Sequence, residues 1–90
     1  MTNERRTAVF EQLIDENPEA LQADGFEKAF VGICRRFGQP SVAMYDQELC
    51  VEILVERDGM EEEEAIEFFD FKVIGACVGE NTPVFCTLAT

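Results

Sequence analysis

The chain contains no histidine and no tryptophan, and only seven lysines and arginines stand against nineteen aspartates and glutamates in its 90 residues. Each shortage excludes something. Without histidine there is no Ser-His or Cys-His pair to activate a nucleophile, and no imidazole ligand for a zinc or di-iron site. The scarcity of cations leaves a formal net charge of −12, a field that repels phosphate backbones and anionic bilayers. Direct nucleic-acid binding is therefore disfavoured, whereas a basic protein partner is electrostatically allowed. No stretch approaches the roughly 18 uninterrupted apolar residues that a membrane span needs. The opening Met1-Thr2-Asn3-Glu4-Arg5-Arg6 has no apolar run behind its charges, so it is not expected to be a signal peptide.

What is present suffices for a folded unit. A hydrophobic fraction of 47% with eight phenylalanines argues against disorder despite the charge. A chain of this length is expected to form a single domain over 1–90 around one core, without a deep interlobe cleft. Cys34, Cys50, Cys77 and Cys86 are separated by 16, 27 and 9 positions, with no C-x-x-C pair. Free, reduced thiols are expected, with no metal site and no cofactor.

Residues 4–16 read as a helix, with Val9, Phe10, Leu13 and Ile14 on one stripe and Asn17-Pro18 ending it. Asp24-Gly25-Phe26-Glu27 has capping-box spacing, and Phe26, Ala29, Phe30, Ile33, Cys34 and Phe37 recur at i, i+3, i+4 and i+7. This predicts a second helix that stops at Gly38, with Arg35 and Arg36 in its last turn. Residues 41–45 read as a strand. Asp46 then caps a helix over about 47–57, with Leu49, Cys50, Ile53 and Leu54 inward and Asp58-Gly59 closing it. Met60 precedes a further helix whose first turn holds Glu61 to Glu64 and whose stripe is Ala65, Ile66, Phe69 and Val73. Residues 73–78 fit either a helix or a strand, and a helix to about 77 ending at Gly79 is favoured. A turn at 80–83 and a strand at 84–88 follow. The fold class expected is α+β: mostly helical, with a small two-stranded sheet, its β-α-α-β half preceded by two helices.

No catalytic motif survives inspection. Gly75-Ala-Cys77-Val-Gly79 superficially resembles a nucleophile elbow but has no histidine base. The segment around Asp58-Gly59 lacks the alternating oxygens of a calcium loop. The helix pair around Gly59 would present Glu61 to Glu64 to a DNA groove, which phosphates oppose. The chain is expected not to be an enzyme.

Val42-Ala-Met-Tyr-Asp46, Asp58-Gly-Met60, Glu63-Glu-Ala65, Glu67-Phe-Phe69 and above all Val78-Gly-Glu-Asn-Thr-Pro-Val-Phe85 resemble a group of short proteins encoded by bacteriophages and prophages. The resemblance covers residues 40–86. In that group a polar cap residue usually follows the Gly-Met, where this chain has Glu61. The resemblance implies a phage accessory protein working in the host cytoplasm, and it brings no activity with it.

Two classes of function follow. One is a binding module that modulates a protein partner, inhibiting a nucleic-acid-binding host protein by charge mimicry through Asp58, Glu61, Glu62, Glu63, Glu64 and Glu67. The other is a homo-oligomeric assembly protein, a homodimer in its simplest form. In that reading Phe68 and Phe71, which fall outside the buried stripe, are covered by a second copy.

Overall fold

The computed structural model describes residues 2–76 and 79–89. The order of elements is α1 (Asn3–Glu16), a 3₁₀ turn (Glu27–Ala29), β1 (Phe30–Cys34), β2 (Val42–Asp46), α2 (Gln47–Asp58), α3 (Glu62–Phe68) and β3 (Val84–Cys86). The α+β class, mostly helical with a small sheet, is as expected. The sheet, however, has three strands in the order β1-β2-β3, with β1 antiparallel and β3 parallel to the central β2. One helix, not two, precedes β2.

The correction comes from residues 24–37. Here Glu27 does not reach back to close a capping box on Asp24. Its carboxylate accepts from Gly25 N–H at 3.2 Å, tightening a turn in which Gly25 takes φ 90°. A single 3₁₀ turn follows, and then Phe30 to Cys34 extend and pair with Tyr45 to Val42. The run Phe30-Val-Gly-Ile-Cys34 is short and rich in β-formers, and such a run satisfies both periodicities. The ladder offered by β2 decides it. Arg35 and Arg36 consequently lie in the hairpin connection instead of a helix end. Phe37 stands fully exposed in the turn closed by Gln39 N–H to Arg36 O (3.1 Å), with Gly38 at φ 75°.

The other elements follow their local signals. Thr2 caps α1 by accepting from Arg5 N–H at 3.1 Å. Asp46 caps α2 by accepting from Glu48 and Leu49 N–H, and Gly59, at φ 69°, terminates it. These are the standard devices for satisfying helix-end donors and turning the chain left-handed. Beyond Phe68 the helical path continues, but it widens into π winding over Phe69–Val73 before a 3₁₀ turn at Ile74–Ala76. The expected end of that helix at residue 77 lies outside the described residues. The expected last strand, 84–88, is shorter at Val84–Cys86.

The core is aromatic. Rings pass from Phe10 to Phe30, Tyr45, Phe85, Phe69 and Phe26, with successive centroids 5.0 to 6.3 Å apart and mostly edge-to-face. This geometry sets ring edges against ring faces and adds to simple burial. Leu13, Ala29, Ala43, Cys50, Leu54 and Ala65 fill the remaining volume, all with no exposed surface. The Tyr45 hydroxyl accepts from Ala23 N–H at 3.0 Å.

One buried polar side chain joins three parts of the chain. Asn17 donates to Ser41 O (2.8 Å) and to Asn81 Oδ1 (2.9 Å) and accepts from Glu19 N–H (3.2 Å). It is both the helix terminator foreseen from Asn17-Pro18 and a tertiary fastener that spacing does not reveal.

Candidate docking groove

Asp46 and Gly59 fix where α2 begins and ends, and the phase of the helix then sorts its side chains. Cys50 and Leu54 point into the core with no exposure, while Ile53 is partly buried. Leu49, expected inward, is 36% exposed. On the flank toward α3, Val51 and Val55 join Ile66 as the apolar floor of an open groove of about 570 Å³. Glu48, Glu52 and Glu56 line it from α2 at four-residue spacing, Glu62 lines it from α3, and Gln47 and Thr87 complete it. Residues four apart lie on one helix face, so the three α2 glutamates form a row along one wall.

No cation among the described residues neutralises these carboxylates. Among the described residues, ion pairs form at Arg35–Glu16 and Arg57–Asp58 only, and neither touches the groove. Arg57 holds Asp58 through two bonds of 3.1 Å, which lowers the Asp58 pKa. The same guanidinium donates to Gly25 O at 2.8 Å and lies 5.6 Å from the Phe26 ring centre. Asp58 thus orients an arginine that clasps the 24–26 turn onto α2.

Of the acidic residues singled out from sequence, Glu62 alone lines the groove. Glu61 is the backbone cap of α3 and makes no side-chain capping bond. Glu63, Glu64 and Glu67 are exposed on α3 away from the groove, and Asp58 is engaged with Arg57. The α2 row was missed, although Glu48, Glu52 and Glu56 carry a plain i, i+4, i+8 signal. Ile66, expected in the buried stripe, is 41% exposed and belongs to the groove floor. Phe68 is 36% and Phe71 82% exposed, and Phe71 projects from the π-wound segment between buried Phe69 and half-buried Val73.

The thiols are free at Cys34, Cys50 and Cys86, while Cys77 lies outside the described residues. Burial, with Asp46 nearby, pushes the Cys50 thiol up to about 12 and raises that of Cys86, so both disfavour the reactive thiolate. Cys34 stands in β1, not on a helical stripe. Among the described residues no three cysteine or carboxylate side chains gather as a metal site, and no helix is long and apolar enough to cross a membrane.

What the groove can do chemically is attract positive charge while removing apolar surface from water. No known protein family, no curated protein and no solved structure matches the chain.

Proposed function

We propose that this protein is a small acidic binding module that docks a basic protein partner in the α2/α3 groove and modulates it, without catalysis of its own. The observation that carries the reading is the gathering of Glu48, Glu52, Glu56 and Glu62 around an apolar floor, with no cation among the described residues paired to any of them. Acid that served solubility alone gains nothing from this arrangement. Like charges at i, i+4 cost α2 about a few tenths of a kcal/mol per pair, and an apolar floor beside them stays wet until something covers it. A partner with lysine or arginine around an apolar ridge relieves both. A nucleic-acid-binding protein is such a partner, and occupying its basic surface would inhibit it by charge mimicry. The resemblance to phage proteins agrees with this reading and suggests the host cytoplasm as the place of action.

The test is affinity capture from host lysate, followed by titration of the captured protein at rising salt. Binding is expected to weaken steeply with salt and to fail for Glu52→Lys/Glu56→Lys. An affinity indifferent to both removes the proposal.

A second reading rests on a separate observation. Phe71 is 82% exposed beside Phe68 and Ile74, both more than a third exposed, which is the surface a second copy of the chain would cover. Sedimentation equilibrium tests it, since a monomer mass at every concentration excludes the homodimer.

A further inference from the structure

The groove also constrains the shape of what enters it. Its apolar floor lies on two helices whose backbone groups at Val51, Val55 and Ile66 are already bonded along the helix, so the floor offers no free edge of N–H and C=O groups. An extended segment laid on Val51, Val55 and Ile66 would leave its own backbone groups unpartnered against apolar surface, a costly arrangement. A helix brings its backbone bonds with it. The floor residues Val51 and Val55 are one turn apart, the spacing that receives the i, i+4 ridge of a second helix. The stretch from Gln47 to Glu56 that lines the groove extends about 13 Å at 1.5 Å per residue, or some two and a half turns. Over that length the glutamate row repeats every four residues, as does a row of lysines or arginines along one side of a facing helix.

We propose that the occupant is a cationic amphipathic helix of the partner. Its apolar ridge, at i, i+4 and i+7, sits on Val51, Val55 and Ile66. A lysine or arginine row beside the ridge faces Glu48, Glu52 and Glu56, and a further cation on its other flank meets Glu62. This deepens the basic-partner reading and rests on it. The mode is helix-in-groove recognition, with charge fixing direction and register.

The experiment uses the full chain and three synthetic probes of about 18 residues, five helical turns. The first is a leucine-lysine peptide with helical periodicity. The second has the same composition with strict alternation, and the third is oligolysine of the same charge. Isotope-labelled NMR follows Val51, Val55 and Ile66, and circular dichroism follows the peptide. The helical peptide is expected to bind at least about tenfold more tightly than the other two, a difference of about 1.4 kcal/mol, and to gain helix on binding. Ile66→Ser should weaken the helical peptide while leaving oligolysine unchanged, and Glu52→Lys/Glu56→Lys should weaken both. Equal affinity for the three probes, or bound peptide without helix, overturns the helical occupant while the basic-partner reading stands. Binding that ignores the glutamate reversal, or no binding of any cationic probe, overturns both.

Discussion

The two sides of the α2–α3 pair use neighbouring residues for opposite ends. On the inner side Cys50, Leu54, Ala65 and Phe69 have no exposure, and Phe69 meets Phe26 and Phe85 edge-to-face. On the outer side Val51, Val55 and Ile66 are one position along from inner residues, yet they floor an open groove. A step of one residue turns a helix by about 100°, so stability and docking are separated by rotation instead of by distance along the chain. Substitutions should therefore divide into two kinds with little overlap.

The largest effect belongs to the inner side. Phe69→Ala should cost about 3–5 kcal/mol, a large share of what so small a domain has, seen as an early midpoint in urea unfolding. An unchanged midpoint breaks the comparison at once. Next comes Asn17→Ala, which leaves Ser41 O and Asn81 Oδ1 without their donor; about 2 kcal/mol is expected, again by urea unfolding, because it belongs to the fold and not to the groove. Outer-side changes should be far milder. Ile66→Ser should cost about 1 kcal/mol or less, and Glu52→Lys/Glu56→Lys should move stability by only about a few tenths of a kcal/mol while abolishing salt-sensitive binding. If Ile66→Ser destabilised as much as Phe69→Ala, the groove floor would have to be counted as core.

The smallest effect is the acid dependence. Glu16 accepts from Arg35, from Ser41 Oγ at 2.8 Å and from Gln12 at 3.3 Å. These bonds, Arg35 foremost, lower its pKa to about 2 from 4.5. A depressed folded-state value means a stabilising contribution that is complete above the unfolded value and disappears as pH falls from about 4.5 to about 2. The difference in unfolding midpoint between wild type and Glu16→Gln isolates the Glu16 share, and it should narrow with acidification. A difference constant from pH 7 to pH 2 would contradict the pairing.

Legibility in the sequence tracks how local the deciding interactions are. α1, α2 and β2 were readable because Asn17-Pro18, the Asp46 cap and Gly59 act within a few residues of themselves. The second expected helix failed because Phe26, Ala29, Phe30, Ile33, Cys34 and Phe37 match helical spacing while the backbone of 30–34 has its partner at 42–45, across a hairpin. The π winding at Phe69–Val73 left no mark in the pattern either, since Phe69 and Val73 remain four apart in both forms. For the site, the contiguous run Glu61 to Glu64 drew attention that belonged to the spaced row on α2. Adjacent glutamates point around a helix, whereas glutamates four apart point together.

Phe85 stands in the middle of the chain of core rings although β3 supplies it near the far end of the sequence. Phe10, Phe26, Phe30, Tyr45 and Phe69 all precede it in the chain, so the ring between Tyr45 and Phe69 is the last of the six to be made. The row of rings is therefore complete only once β3 has paired alongside β2.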